Sequence, residues 1–105
     1  MPPDLEEIRQ RLADHDYLFT LHASDRAARR GIRSHEIEEV VASGEIIEDY
    51  PDDKYGPSCL IMGEAANGRV LHVQLSYPPP IKLITVYEPS PDEWESDWKT
   101  RKSNE

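Results

Sequence analysis

Asn67-Gly68-Arg69-Val70-Leu71-His72-Val73-Gln74-Leu75-Ser76-Tyr77 is the stretch on which the fold turns. Asn-Gly is a strong hairpin turn, because both residues tolerate the positive φ that such turns need. Beyond it, Leu71, Val73 and Leu75 fall on one face of a strand, and His72, Gln74 and Ser76 on the other. A strand with one apolar and one polar face predicts a sheet covered by helices on one side only. Its partners lie close by in sequence. Cys59 to Gly63 is apolar and predicts a buried strand before the turn. Ile46-Ile47 leads into Glu48-Asp49-Tyr50 ahead of that, across a polar turn from Pro51 to Pro57. Pro78-Pro79-Pro80 breaks the chain, and Ile81 to Tyr87 is the last strand. Thr85 and Tyr87 share a face of it, with Ile81 and Leu83 further along, so Tyr87 reads equally as core or surface.

Helical patterns surround these strands. Residues 4–14 carry the stripe Leu5, Ile8 and Leu12, with Asp4 as cap and Glu7 three residues on. Tyr17 to Leu21 reads as a short strand. His22 to Arg30 is helical, with alanines at 23, 27 and 28 and Gly31 as stop. A further helix starts at Ser34, shows Ile37, Val40 and Val41 on one face, and ends at Gly44. Ser90-Pro91-Asp92-Glu93 has a cap, a proline at the first helical position and a capping-box Glu, which predicts a short C-terminal helix. Trp94 and Trp98 would share one face of it. The expected fold is α+β: N-terminal helices packed on a three- to four-stranded antiparallel sheet, with a short C-terminal helix. One domain is expected over 1–105, with the core at about 4–98 and a frayed tail from Lys99 onward.

Composition narrows the function. The 105 residues fit one small domain, and an apolar share of 37% is above the disordered range. Cys59 stands alone, which excludes an intrachain disulfide and a cysteine-based zinc site and suits a reducing cytoplasm. No apolar run exceeds four residues (Cys59 to Met62), so no membrane span is expected. The first residues show no signal-peptide pattern. A net charge of -9 counts against broad coating of nucleic acid, whose affinity comes mainly from Lys and Arg.

The charge is not evenly spread. Residues 22–35 are net +3, and residues 36–64 are net -8. A basic helix thus sits inside an acidic protein. The plain reading pairs its arginines with Glu36, Glu38 or Glu39 of the next helix. The sharper reading makes them a local anion site. On a helix, His22, Arg26 and Arg29 or Arg30 fall at i, i+4 and i+7 or i+8 and share a face. An imidazole beside two guanidiniums suits phosphate chemistry, because arginine grips phosphate oxygens in a fork and histidine moves protons near neutral pH. His72 interrupts an apolar strand on the face opposite Leu71, Val73 and Leu75, and a sheet that turned His72, Gln74, Thr85 and Tyr87 toward the same cleft as His22 would make a polar active surface. Two histidines flanking a phosphodiester give a metal-independent route to RNA cleavage. One takes the 2'-hydroxyl proton and the other donates to the leaving 5'-oxygen. No metal-ligand spacing links His22, His35 and His72, and neither a phosphate-binding glycine loop nor a serine elbow is present, so no cofactor is expected. Cys59 heads an apolar strand and reads as inert.

Several of these stretches together resemble a bacterial family known as the domain of unknown function numbered 4258. They are Thr20-Leu21-His22-Ala23 with Arg26 and Arg30, Gly44 to Tyr50, Gly68 to Val73, and Ile84-Thr85-Val86-Tyr87-Glu88-Pro89 with Trp94 following. The resemblance covers about residues 17–98 and carries no established activity. In layout the family is similar to the small RelE/barnase-like nuclease toxins. By that likeness the positions implied for the site are His22, Arg26, Arg30, His72, Thr85 and Tyr87. The expected function is a metal-independent endoribonuclease of toxin type, with RNA at the basic helix 22–35 and a small antitoxin-like protein as partner. The chain departs from such toxins in being acidic where they are usually basic. The alternative is a non-catalytic binding or regulatory module, using the local basic groove or the Trp94/Trp98 helix for a protein partner.

Overall fold

The computed structural model describes residues 2–54 and 56–103. The first helix, α1 (Leu5–Ala13), starts where the Asp4 side chain accepts a hydrogen bond from the Glu7 N–H at 3.2 Å. Ile8 and Leu12 bury its inner stripe. A two-residue strand, β1 (Leu18–Phe19), leads to α2 (Leu21–Arg29). The Thr20 hydroxyl caps α2 by accepting from the Ala23 N–H at 3.1 Å, and donates to the Leu83 carbonyl at 2.9 Å. One side chain therefore starts the helix and ties it to a strand far along the chain. Next comes α3 (Ser34–Ser43), whose Ile37, Val40 and Val41 are fully buried.

Four longer strands follow: β2 (Glu45–Tyr50), β3 (Ser58–Glu64), β4 (Val70–Ser76) and β5 (Lys82–Tyr87). They form a five-stranded sheet in the order β1-β5-β4-β3-β2. The pairings from β2 to β5 are antiparallel, whereas β1 runs parallel to β5, with Leu18 opposite Lys82. The expected sheet of three or four antiparallel strands is corrected to five in a mixed arrangement. The fifth strand is only two residues long, too short for periodicity to reveal its partner.

Alternation in β4 sorts the two faces. Leu71, Val73 and Leu75 point to the helices and are fully buried with Ile61, Val86 and Leu83. His72 pairs with Tyr87, and Gln74 with Thr85, so these four share the opposite face. The pairing slips by one residue between Thr85 and Leu83, leaving Ile84 as the extra residue of a β-bulge. The bulge moves Leu83 to the helical side while Thr85 and Tyr87 stay on the polar side. It removes the mixed face that strict alternation implies.

The expected C-terminal helix is absent among the described residues. The Trp94 N–H reaches the Ser90 carbonyl, but the chain then turns back in a short hairpin. Glu95 N–H bonds to Thr100 carbonyl at 2.8 Å, Lys102 N–H to Glu93 carbonyl at 2.9 Å, and Trp94 bridges Arg101. Trp98 has φ 61, which a right-handed helix cannot contain. Asp97 holds the bend by accepting from the Lys99 and Thr100 N–H groups, a local bond that competes with helix. Residues 99–102, read from sequence as a frayed tail, close this hairpin; Asn104 and Glu105 lie outside the described residues.

Arg69 joins the remaining pieces. It bonds Glu88 and Glu36 and caps the end of α2 through the carbonyls of Arg30 and Gly31, at 2.7 and 2.8 Å. Where α3 meets β3, backbones approach without side chains between them. A Cβ on Gly63 would press into the Val40 carbonyl oxygen and lie 3.0 Å from the Gly44 Cα. Neither neighbour is a side chain that can swing away. Gly63→Ala is expected to destabilise the fold by about 1–3 kcal/mol, measured by urea unfolding, as overpacking against a fixed backbone does.

Candidate functional site

The two ends of α2 fix its place beside β5. At the start stands the Thr20–Leu83 bond; at the end the Arg30 guanidinium donates to the Val86 carbonyl at 2.6 Å. Ala23 and Ala27 face inward, and small side chains let the helix lie close to the strand. His22 and Arg26 are exposed on α2, and Arg30 is exposed at its C-cap. Eight residues separate the first from the last, a row about 12 Å long. The plain reading of these arginines as partners of α3 is corrected. Glu36 is taken by Asn67 and Arg69, Glu38 by Tyr17 and His15, and Glu39 by the Ala66 N–H. Arg29 pairs with Asp25 within its own helix, and Arg26 has no side-chain partner among the described residues.

Four of the six predicted site residues divide between two clefts, and Arg26 lines neither. His22 and Thr85 line a small one of about 190 Å3 with Thr20 and Ile84. Arg30 and Tyr87 line an open one of about 550 Å3 with Glu88, Glu93, Trp94 and Arg101. His72 lies behind Tyr87 and is 0% exposed. No hydrogen bond, ring contact or shared cleft joins His22 to His72 among the described residues.

His72 is held from three sides. Its Nε2 lies 2.6 Å from the Trp98 carbonyl oxygen, its Nδ1 lies 3.2 Å from the Tyr87 hydroxyl, and the Trp94 ring meets it edge-on with centroids 4.4 Å apart. A carbonyl only accepts, so Nε2 carries the proton. Burial lowers the pKa of His72, against the opposing pull of the Trp98 carbonyl and Glu48, so the neutral ring is favoured. Nδ1 then presents its lone pair and accepts from the Tyr87 hydroxyl. Burial likewise raises the pKa of Tyr87, which keeps its proton. The result is a line of groups from carbonyl to imidazole to phenol, ending at the cleft that holds Arg30.

Glu48 and Arg101 complete the surroundings. Arg101 forks onto the Glu48 carboxylate at 2.8 and 3.0 Å, and its guanidinium lies 4.6 Å over the Trp94 ring. Tyr50 also donates to Glu48. These bonds hold the Glu48 carboxyl below its usual range, the Arg101 fork first among them. Trp94 is 2% exposed, so it belongs to the cover of His72 and not to a free helix face. Sequence reasoning missed Glu48, Arg101 and the Trp98 carbonyl. The tryptophan pair was the available signal, but its spacing suggested a helix.

Cys59 fits its inert reading, since burial, with Asp49 adding to it, pushes the thiol up to about 12. Among the described residues no cluster of three or more His, Cys, Asp or Glu is placed to hold a metal ion. Among the described residues no helix is long and apolar enough to cross a membrane.

Fold and site together define a small α+β protein with one polar sheet face, an arginine row at its rim and a buried histidine beneath it. The model of the family described as Domain of unknown function (DUF4258) matches residues 19–88, and the chain belongs to that family. No curated protein and no solved structure matches the chain.

Burial of a neutral histidine has a consequence for stability. With its folded pKa below the ordinary value of 6.5, His72 binds fewer protons folded than unfolded, so its contribution is complete above that value and lost as pH falls below it. Tm is expected to fall by a few degrees between roughly pH 7.5 and 5. In His72→Gln that dependence should be visibly smaller, as read by thermal melts across the same range.

Proposed function

We propose that the protein is a metal-independent endoribonuclease acting at the rim between α2 and the polar sheet face. The observation that carries this reading is the Tyr87 hydroxyl, backed by His72 and opening on a cleft beside Arg30. The likeness in layout to RelE/barnase-like toxins that the sequence suggests is the analogy behind it.

In this reading Arg30 and Arg26 hold the scissile phosphate and stabilise the charge that builds on it. The 2'-hydroxyl gives its proton to Tyr87 while Tyr87 passes its own to Nδ1 of His72. The 2'-oxygen attacks phosphorus and the bond to the 5'-oxygen breaks. His22, in protonated form, donates to that leaving oxygen. The products are a 2',3'-cyclic phosphate and a 5'-hydroxyl, and no metal enters. Glu48 offsets the positive charge that His72 then carries. Thr85 lines the cleft with His22 and contacts the substrate beside it. Thr85 and Tyr87 lie two residues apart on one strand face, about 7 Å, which matches one nucleotide step of an extended strand.

A second reading is a binding module, favoured by Leu21 and Leu18, the exposed large apolar side chains beside α2. It would dock a small antitoxin-like partner on the arginine row without turnover.

The measurement is cleavage of single-stranded RNA by purified protein in EDTA, with the cyclic phosphate end assayed. Tyr87→Phe and His22→Ala should each lower the rate by about 100-fold or more, with far-UV circular dichroism unchanged. Absence of cleavage, or equal cleavage by both variants and the parent, removes the nuclease reading. Retained capture of a protein partner without turnover would then favour the module.

A further inference from the structure

The family match ends at residue 88, yet His72 is closed in by residues beyond it. Of its ring contacts, the Tyr87 hydroxyl comes from inside the matched segment, and the Trp98 carbonyl and Trp94 ring come from outside. The hairpin that supplies them is fastened to the far side of the sheet by two ion pairs, Arg101–Glu48 at 2.8 Å and Lys99–Glu45 at 3.1 Å. It thus crosses the polar face from β5 to β2. Trp98 sits in the left-handed region at φ 61, uncommon for a bulky residue, and is kept there by its N–H bond to the Glu95 carbonyl at 2.9 Å and by the Asp97 turn.

We infer that this hairpin is a positioning element for the Tyr87–His72 pair: the Trp98 main-chain carbonyl fixes the proton on Nε2 of His72, and the Glu48–Arg101 fork holds that carbonyl in place. The inference rests on the reading of Tyr87 and His72 given above. Its physical content is tautomer control. A neutral imidazole with its proton on Nδ1 would present a donor to Tyr87 and could not take the phenol proton. With the proton on Nε2, the lone pair faces Tyr87, and after transfer the carbonyl still accepts from the imidazolium. An orienting acceptor on the far nitrogen plays this part wherever histidine acts as a base for a hydroxyl. Here a main-chain oxygen plays it, so the part depends on backbone placement and not on the identity of side chain 98.

The test reads the tautomer directly. Nitrogen-15 NMR of the His72 ring should show Nε2 protonated and Nδ1 free at neutral pH in the parent protein. Arg101→Ala, at an exposed position, should release the hairpin, mix the two tautomers and lower kcat for RNA cleavage roughly 10-fold with little change in KM. Arg101→Lys, which keeps the charge and loses the fork, should restore part of both effects. A proton on Nδ1 in the parent, or an unchanged tautomer in Arg101→Ala, overturns the inference. A tautomer that is fixed in the parent and lost in Arg101→Ala, in a protein that cleaves no RNA, sustains the hairpin's role and removes only the nuclease reading.

Discussion

A single extra residue in β5 decides what the sheet can be. Without the bulge at Ile84, alternation from Tyr87 would carry Leu83 to the polar face and leave a hole among the helices. With it, Ile81 and Leu83 are buried while Thr85 and Tyr87 stand opposite Gln74 and His72. One strand therefore serves two environments. The apolar half closes the core that α1, α3 and the buried alanines of α2 cover, and the polar half forms the rim beside α2. Each half constrains the other, because a slip of one residue would exchange core and surface along the strand.

The charge asymmetry takes its meaning from the same geometry. The acidic side chains of α3 do not neutralise the arginines of α2, since each is bound elsewhere. Arg69 takes the one that matters most. It pairs with buried Glu36 and caps α2, so a single cation just ahead of β4 satisfies the carboxylate that the helical arginines would otherwise meet. Burying Glu36 without that cluster of partners would be costly. Its pKa is lowered, chiefly by the Arg33 N–H and the Asn67 side chain. Arg26 and Arg30 are left at the surface as a consequence of packing elsewhere.

Much of the fold was legible in the sequence because it is written in local chemistry. Asp4 and Gly44 sit where helix ends need them, and Leu71, Val73 and Leu75 face inward as their spacing dictates, whereas Thr20, read from sequence as the end of a strand, proves to be the cap of α2. What escaped was non-local. The partnership of Leu18 with Lys82 has no periodic signature, and the Ser90-Pro91 start signal was real for one turn only, until Asp97 and the left-handed Trp98 redirected the chain. At the site, residue types were legible but their grouping was not. His22 and His72 read as equals, yet one is exposed and the other lies beneath Tyr87 with both nitrogens engaged. No spacing rule reports that a main-chain carbonyl will arrive from residue 98.

The bond from Thr20 to Leu83 spans 63 residues, and that from Arg30 to Val86 spans 56. During synthesis α2 emerges early, but the strand it lies against is made much later. Loops this long close slowly, and their contacts form after local structure. A ribosome-bound chain short of β5 would lack the strand against which α2 lies. The groups that meet at the rim are therefore brought together late, so whatever this surface does begins only once β5 has been made.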